Sequence, residues 1–372
     1  DLNQKLDCIE LFKKATDYNS EQSIKDLIRK KDNSKLFVEA MGSKPFPIDS
    51  LGEIAAIQLK NNPSWEKFVD DLKSDDKKRS GMAYKNFSKE DLKSYHKYIC
   101  VVQADGDNVG KTISNQGLQD GKVKKISDAL LQFGKNAKQA IEEFGGIPIY
   151  AGGDDLLFIA PVVGINGDCI LSLLETLNDT SFGGVKNIID PLKLKDENNN
   201  DIKASLSFGV SISYHKYPLY EALESARKLL FLKAKKVKGK NAVALELRKH
   251  SGGSFYLEYS KNNAELKDKF NALISASGEA ESVVSAVSHK IRSNEGLLSI
   301  WINEPNANER NENFFKKYME YDTNKPDKYK TVALEMMNEL CSIEDNAENL
   351  VKNMYGLLRI AKFINGEEVI DE

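Results

Sequence analysis

Residues 96–250 alternate between strand-like and helix-like apolar spacing, in an order that only a few folds can accommodate. Tyr98–Ala104 is a short run rich in β-branched residues, which predicts a buried strand. In the next segment, which ends at Phe144, apolar residues recur every three or four positions and mark one face of a helix. Two short strands then follow with a glycine-rich turn between them, which predicts a hairpin of Pro148–Ala151 with Leu156–Ala160.

The rest of this segment continues the alternation. A helix is predicted over Asp168–Leu177 and, after a polar loop at 178–203, a strand over Ser205–Ser213. This strand alternates serine or glycine with large apolar residues, so we expect one packed face and one open face with room for a ligand. The last helix and strand are predicted over Leu219–Lys236 and Ala242–Leu247. The β-α-β-β-α-β order is that of a ferredoxin-like unit, whose helices are expected to cover one face of the sheet.

The flanking regions have a different character. Residues 1–95 are mostly charged with helical apolar spacing, and residues 256–372 have helical spacing and few strand formers. Between the central unit and the second helical region, the pair Gly252-Gly253 indicates a linker. The length of 372 residues is typical of two or three domains. We therefore predict an α+β protein in which a ferredoxin-like domain at 96–250 is flanked by N-terminal and C-terminal helical domains.

Composition argues against several classes of function. The 53 basic residues nearly balance the 56 acidic ones, so nucleic-acid binding would depend on local patches or on partner subunits. The four cysteines are far apart, which argues against a zinc knuckle or a disulfide framework and favours the reducing cytoplasm. No apolar run is long enough to span a membrane, and no signal peptide opens the chain. The chain begins with Asp1 and not with Met, so we expect an excerpt of a longer protein.

Two acidic motifs lie where the predicted strands end. Asp105–Asp107 (DGD) follows the first strand, and Gly152–Asp155 (GGDD) forms the hairpin turn. Each motif alone is a common turn sequence. In a ferredoxin-like unit, however, the first strand lies beside the hairpin, so the carboxylates would meet at one edge of the sheet. Mg²⁺ takes oxygen ligands from one or two carboxylates and from substrate phosphates, and two such ions would support a two-metal transfer reaction.

Glycines and lysines near these motifs favour a phosphate ligand. The glycines have no Cβ, so a triphosphate can approach the backbone closely. Asn108–Lys111 (NVGK) follows the first motif, and its backbone N–H groups and its lysine could hold phosphate oxygens. Five lysines crowd residues 233–240, at the C-terminus of a predicted helix. We expect most of them to stabilise that helix end, and one or two to reach the triphosphate.

The two acidic motifs resemble the palm domain of the large polymerase/cyclase subunit of type III CRISPR effector complexes. The resemblance rests on Asp105–Gly110 (DGDNVG) and Gly152–Asp155 (GGDD), which are joined by a helix and a strand. Softer similarities cover most of residues 40–370, and one upstream motif is similar to the III-B (Cmr) branch. These softer motifs are Phe46-Pro47 with Glu53–Ala55, Tyr214–Pro218, Glu221–Lys236, Gly239–Val243 and Tyr355–Phe363. The implied fold is a ferredoxin-like palm of the nucleotidyl cyclase/polymerase type.

The resemblance also implies roles for individual residues. Asp105, Asp154 and Asp155 would be catalytic and would hold the divalent ions, Mg²⁺ or Mn²⁺. Gly106–Gly110 would wrap the triphosphate, and two lysines downstream would meet phosphates as basic residues do in the wider cyclase family. The residues implied to contact the nucleotide are Gly106, Asp107, Asn108, Val109, Gly110, Lys111, Gly152, Gly153, Lys235 and Lys240.

The activity that the resemblance implies is synthesis of a cyclic oligoadenylate messenger from ATP when target RNA is bound. The implied partners are the other subunits of a type III complex, with guide RNA and target RNA met mostly through them, and no membrane. Some relatives instead join AMP to S-adenosylmethionine. Two features of the family are missing from the sequence, namely the N-terminal His-Asp nuclease domain and the cysteine-rich zinc finger. Cleavage of single-stranded DNA is therefore not expected of this chain.

Two further functions compete with this hypothesis. The first is a scaffold that binds guide RNA and neighbouring subunits with an inactive palm, which the helical flanks and the balanced charge allow. The second is a diguanylate cyclase of the GGDEF type, from which the sequence departs at three places. It has Asp155-Leu156 in place of Glu-Phe, Val109-Gly110 in place of Phe-Lys, and no inhibitory RxxD motif at Glu143–Gly146.

Overall fold

The computed structural model describes residues 50–114, 120–193, 195, 203–237, 239–277, 281–298, 306–324, 327–343 and 347–366. Three sequence features therefore lie outside the described residues. They are the helical spacing of the first 49 residues, the Phe46-Pro47 motif and Lys238.

The described part of the N-terminal region is helical, as predicted. It contains three short α-helices and three 3₁₀ turns, and its apolar side chains pack around the fully buried Phe68. Helix α1 begins after Ser50, whose Oγ accepts a hydrogen bond from the Glu53 N–H at 3.2 Å and so caps the first turn. The helices are α1 (Leu51–Ala55), α2 (Trp65–Leu72) and α3 (Lys77–Gly81), and the 3₁₀ turns are Ile57–Asn61, Ala83–Asn86 and Ser94–Lys97.

A six-stranded sheet forms the centre of the molecule, with the strand order β2-β3-β1-β4-β5-β6. Neighbouring strands are antiparallel except for β4 and β5, which are parallel and are connected by a helix. The first four strands in this order have the ferredoxin-like arrangement, and the five predicted strands are confirmed. The strands are β1 (Tyr98–Asp107), β2 (Ile147–Gly152), β3 (Asp155–Pro161), β4 (Ser205–Tyr214), β5 (Ala242–Arg248) and β6 (Ser254–Ser260).

Strand β6 was not predicted from the sequence. The expected linker Gly252-Gly253 is instead the turn of a hairpin, in which β6 pairs with β5 along its whole length. Residues 256–372 are therefore not all helical. The sequence of β6 has a period of two, with Phe255, Leu257 and Tyr259 buried in the core, but the run is short and follows a glycine pair that was interpreted as a boundary.

Helices cover both faces of the sheet, which corrects the expectation of one open face. On one face, the helices α5 and α6 pack on the large apolar residues of β1, β3 and β4. On the other face, α8 lies directly on the serine side of β4. A Cβ at Gly209 would lie 2.1 Å from the Ala226 carbonyl oxygen, so only glycine allows this contact. The helices of the palm are α4 (Val109–Ile113), α5 (Asp120–Phe144), α6 (Ile170–Thr176), α7 (Gly183–Ile189) and α8 (Leu219–Leu232).

Residues 178–193, the described part of the predicted polar loop before β4, contain regular structure. A single π-helical turn, Leu177–Ser181, leads into α7, and the ring of Phe182 packs edge-on against Phe133 with centroids 4.9 Å apart. Val185 is fully buried. The sequence did not predict α7, because this helix begins with two glycines and glycine is a poor helix former.

The C-terminal helices share one continuous core with the sheet. Tyr355 packs against the ring of Phe255 in β6, and a Cβ at Gly356 would lie 1.8 Å from the backbone oxygen of Tyr256, so α14 crosses β6 at the closest possible approach. None of the helices described by the structure is both long and apolar enough to cross a membrane. The helices are α9 (Ala264–Ala276), α10 (Glu281–Ser293), α11 (Glu295–Leu298), α12 (Ala307–Met319), α13 (Lys328–Ile343) and α14 (Ala347–Asn365).

Candidate functional site

The two acidic motifs meet at one edge of the sheet, as predicted. This edge is the side of the sheet at which β1 ends and β3 begins. In the antiparallel register of β1 and β3, Asp105 lies directly opposite Asp155. Directly opposed residues project from the same face of a sheet, with Cβ atoms about 5 Å apart. Both positions are partly exposed. The sheet therefore presents a pair of carboxylates on neighbouring strands, at the end of β1 and the start of β3.

The hairpin turn brings the third carboxylate to the same edge. Gly152 and Asp155 pair across the turn, and Gly153 adopts a φ of +62°, which a two-residue hairpin turn requires at its first central position. The Gly106 N–H donates to the Asp154 carbonyl oxygen at 3.0 Å. The turn is thus tied to β1 beside the first acidic motif.

Gly106 has a structural role that differs from the predicted one. A Cβ at this position would lie 2.5 Å from the Asp154 Cβ and 2.7 Å from its Oδ2. The absence of a side chain therefore makes room for Asp154 and not for a triphosphate. Gly152 is similarly covered by the Tyr150 hydroxyl, whereas a Cβ at Gly153 would have no neighbour within 4 Å among the described atoms.

Asp107 is fully buried and holds the edge together. Its Oδ2 accepts hydrogen bonds from the Ser205 hydroxyl at 2.7 Å, the Ser207 hydroxyl at 2.8 Å and the Asn241 N–H at 3.0 Å. Its Oδ1 contacts the Lys235 ammonium at 2.6 Å. The implied role of Asp107 in binding the nucleotide is not compatible with a carboxylate whose oxygens are all engaged. It is a hub that joins β1, β4 and the start of β5.

Lys235 points into the edge but not toward open solvent. Its Nζ lies 2.6 Å from the Asp105 Oδ2, 2.6 Å from the Asp107 Oδ1, 2.8 Å from the Asp105 carbonyl oxygen and 2.9 Å from the Gly106 carbonyl oxygen. Only 11% of the side chain is exposed. Lys235, which was predicted to bind phosphate, thus contacts the carboxylates of Asp105 and Asp107 in the structure.

The loop before β5 has an unusual backbone. Gly239, Lys240 and Asn241 have φ values of +83°, +55° and +49°, and two of these three residues have a Cβ. A left-handed conformation costs a residue with a Cβ about 1–2 kcal/mol. The bond from the Asn241 N–H to Asp107 stabilises this conformation. Strained backbone of this kind clusters at functional sites.

Lys240 and Lys111 are basic groups at this edge, and neither forms an ion pair with a described residue. Lys240 is half-buried, and burial lowers its pKa below 10.5, with the positive charge of Lys235 as the next cause. The charge of Lys111 lowers this pKa further, so the two ammonium groups lie near one another. Two such lysines at one edge favour an anionic ligand.

Asn108–Lys111 turns away from β1 into α4. Asn108 has a φ of +65°, its side-chain amide donates to the Lys203 carbonyl oxygen at 3.0 Å, and its own carbonyl accepts from the Thr112 hydroxyl at 2.9 Å. Val109 is buried in the core, so its side chain cannot contact a ligand. Gly110 is exposed, and a Cβ there would meet nothing within 4 Å. Of this segment, Gly110 and Lys111 are the residues open to a ligand.

Several residues of the edge were missed by the sequence interpretation. Ser205 and Ser207 were expected to line an open face, whereas they bind Asp107. Asn241 was noted only as part of the Gly239–Val243 motif, and Lys261 was not considered. The Lys261 Nζ donates to the Leu206 carbonyl oxygen at 2.8 Å, and burial together with the charge of Lys186 lowers its pKa to about 7. The register of β1 and β4 places Ser205 opposite Asp107. Aligning these two predicted strands would therefore have indicated the contact between the serines and Asp107.

The carboxylates of the edge fit a divalent ion in part. Among the described residues, no three His, Cys, Asp or Glu side chains are grouped as a ready metal cage. Mg²⁺, however, is usually held by only one or two carboxylates together with substrate phosphates. Asp105 and Asp155 provide such a pair of hard oxygen donors on one face. Asp154 lies beside them, over Gly106.

A comparison with protein families agrees with this geometry. Residues 98–244 match the family model described as Cas10/Cmr2, second palm domain. The match begins at the first residue of β1 and ends within β5, so it contains both acidic motifs, Lys235 and the loop before β5. This segment is therefore similar to the second palm domain of Cas10/Cmr2 proteins.

One relative matches at the sequence level. The chain is 30% identical over 209 residues to the CRISPR system Cmr subunit Cmr2 of Pyrococcus furiosus. These residues are 49% of the present chain and 22% of the relative, so the chain spans about a fifth of the length of the relative that it matches.

Solved structures are similar at lower levels, and two of them are described next. The Csm1-Csm4 cassette in complex with cA4 has a TM-score of 0.44 and 18% identity, with 72% of this chain and 36% of that chain covered. The type III-B Cmr-beta complex in its apo state has a TM-score of 0.41 and 12% identity, with coverages of 81% and 44%.

Proposed function

We propose that the palm edge binds a nucleoside triphosphate and catalyses nucleotidyl transfer, in which a 3′-hydroxyl attacks the α-phosphorus and pyrophosphate leaves. The observation that supports this proposal is the register of β1 and β3, which sets Asp105 opposite Asp155 on one face of the sheet. Two carboxylates this close together disfavour each other's charged form, and a divalent cation between them would offset that repulsion.

The residues of this chain would divide the work. Asp105 and Asp155 would hold Mg²⁺ or Mn²⁺, with Asp154 beside them, and such an ion supplies a lower pKa for the attacking hydroxyl and neutralises charge on the phosphates. Lys111 and Lys240 would bind the β- and γ-phosphates, since neither lysine forms an ion pair with a described residue, whereas Lys235 is held by two carboxylates. Gly110 and Gly153 would allow the phosphates to approach the backbone. The reaction would thus depend on position and charge, as phosphoryl transfer generally does.

The nucleotide that we propose is ATP, and the proposed product is cyclic oligoadenylate. This part of the proposal rests on the match to the Cas10/Cmr2 palm and on the resemblance of the acidic motifs. The proposed setting is a type III complex in the cytoplasm, in which other subunits bring guide RNA and target RNA to the palm. Target RNA is proposed to switch the activity on.

The test is product analysis by mass spectrometry. The purified chain, alone and assembled with partner subunits, guide RNA and target RNA, is incubated with ATP and Mg²⁺ or Mn²⁺. We expect cyclic oligoadenylate from the wild type and a loss of about a hundredfold or more in Asp155→Asn and in the double variant Asp154→Ala/Asp155→Ala. The matched control is Asp91→Asn, the same chemical change at an exposed position of the N-terminal region, which should make as much product as the wild type.

The other outcomes identify the rival functions. An AMP conjugate with S-adenosylmethionine in the mixture would keep the palm chemistry and change the acceptor. Cyclic di-GMP from GTP would support a diguanylate cyclase. If neither product forms and ATP does not bind in the presence of metal, the chain is a scaffold subunit and the proposed transfer is wrong.

A further inference from the structure

The cage around the Lys235 ammonium is unusual for a lysine. Four oxygens lie within 2.9 Å of Nζ, two from carboxylates and two from the backbone, and all four belong to the consecutive residues Asp105, Gly106 and Asp107. An ammonium group has only three hydrogens to donate. A set of carboxylate and carbonyl oxygens of this kind is the ligand set that proteins use for a hard cation.

This cage is built into the fold. Asp107 is fully buried and is oriented by Ser205, Ser207 and the Asn241 N–H, so it cannot turn away from the lysine. Lys235 belongs to a 3₁₀ turn, Ala234–Lys236, whose first residue is fully buried. The ammonium is therefore held from both sides and differs from a surface lysine that has met a nearby carboxylate.

We infer that Lys235 is a positioning residue that acts as a tethered cation between Asp105 and Asp107. Its ammonium takes the place of one of the two cations that the acidic edge would otherwise require. Only the side of Asp105 that faces Asp155 then remains for a divalent ion. Lys111 and Lys240 then contact the phosphates. This differs from the family resemblance, which implies a phosphate-binding role for Lys235. The assignment of the divalent ion rests on the proposed function, whereas the cage itself does not.

The inference predicts how the edge responds when the tethered charge is removed. In Lys235→Met the buried carboxylate of Asp107 loses its counter-ion while its three other partners remain. A buried carboxylate in this position will recruit another cation, since an uncompensated buried charge is strongly unfavourable. The vacant cage should thus become a new site for Mn²⁺, and for ammonium or methylammonium ions, which copy the lost group.

The first experiment measures metal binding by the full chain without nucleotide, using Mn²⁺ and electron paramagnetic resonance. Lys235→Met should bind one more Mn²⁺ per chain than the wild type, or bind it about tenfold more tightly. Methylammonium should compete for this added site and should raise the unfolding temperature of Lys235→Met but not of the wild type. The matched control is Lys236→Met, an exposed neighbour, which should bind Mn²⁺ as the wild type does.

The inference is overturned if Lys235→Met binds Mn²⁺ as the wild type does but binds a non-hydrolysable ATP analogue more weakly. In that case Lys235 serves the phosphates. If Lys235→Met does not fold, the wild type decides the matter through the reactivity of each lysine toward an acylating reagent, measured by mass spectrometry. Lys235 should stay unreactive with and without Mg²⁺ and the analogue, while Lys111 and Lys240 lose reactivity when the analogue binds. A Lys235 that becomes reactive on addition of Mg²⁺ contradicts the inference.

These results are separable from the proposed function. If no nucleotide product forms but the Mn²⁺ and methylammonium results hold, only the proposed transfer fails. If the product forms and the Mn²⁺ stoichiometry of Lys235→Met is unchanged, only the role of Lys235 fails.

Discussion

Among the described residues of the palm, two carboxylates are buried, and their surroundings differ in one respect. Asp107, at the end of β1, accepts from two serines, a backbone N–H and Lys235. Glu246, in the middle of β5, is 2% exposed and accepts from the Ser225 hydroxyl, from Arg248 at 3.0 Å and from the Tyr256 hydroxyl at 3.1 Å. Both are satisfied, as buried charges must be.

The difference lies in what surrounds each network. Around Glu246 the charged side chains contact one another, because Arg248 also pairs with Glu221 and contacts the ring of Tyr217. This holds although the network borders a cavity of about 590 Å³ between α8, β5, β6 and α14. Around Asp107 the network continues into Asp105, Asp155 and two lysines that do not pair among the described residues. A buried ion pair therefore indicates a site where further charged side chains continue from it to the surface.

The largest expected effect comes from removing the hub. Asp107→Ala leaves Lys235, Ser205 and Ser207 without their common acceptor and should lower the free energy of unfolding by about 3–5 kcal/mol, as for one partner of a buried ion pair. Nucleotide product should be lost as well. Urea unfolding followed by circular dichroism measures the first effect. The control is Asp179→Ala, whose side chain is 63% exposed in its pair with Lys186 and should cost at most about 1 kcal/mol. An Asp107→Ala as stable as the wild type would show that the hub is unnecessary.

The second prediction concerns the closed network. Burial alone would raise the pKa of Glu246, but hydrogen bonds from Ser225 and Arg248 outweigh it and hold the pKa below 4.5. The stability that this carboxylate contributes is therefore present above pH 4.5 and is lost as the pH falls through the lower folded-state pKa. Glu246→Gln should cost about 1–3 kcal/mol at neutral pH and should weaken the acid dependence of unfolding. Binding of an ATP analogue should be unchanged. A weaker affinity for the analogue would erase the distinction between the two regions.

The smallest effect is expected at Lys240. Because burial and the charge of Lys235 lower its pKa below 10.5, its ammonium is lost at a lower pH than that of an ordinary lysine. The affinity for a triphosphate should therefore decline at a lower alkaline pH than an ordinary lysine would cause, and Lys240→Ala should weaken binding by about tenfold. Lys240→Arg keeps its charge at all these pH values and should remove the decline. Titration of a fluorescent ATP analogue measures both. An identical pH profile in Lys240→Arg would exclude Lys240 from the phosphate site.

The acidic part of the site could be predicted from the sequence. Asp105 and Asp155 each stand next to a strand with a clear apolar pattern, and the ferredoxin-like order places those strands side by side. The neighbours of Asp107 could not be predicted in the same way. Whether Lys235 contacts a phosphate or a carboxylate depends on where the end of α8 lies over β1, and residues 130 positions apart leave no local pattern for that contact.

The sequence by itself determined the order of the strands β1–β5 and of the helices α5, α6 and α8 between them, and the meeting of the two acidic motifs. Both follow from local periodicity, because the spacing of apolar residues records which face of each element is buried. The tertiary structure alone decided that α8 covers the serine face of β4, that β6 extends the sheet, and that Asp107 and Lys235 form the buried centre of the edge. These features depend on contacts between distant residues, where close packing and the pairing of buried charges choose the partners.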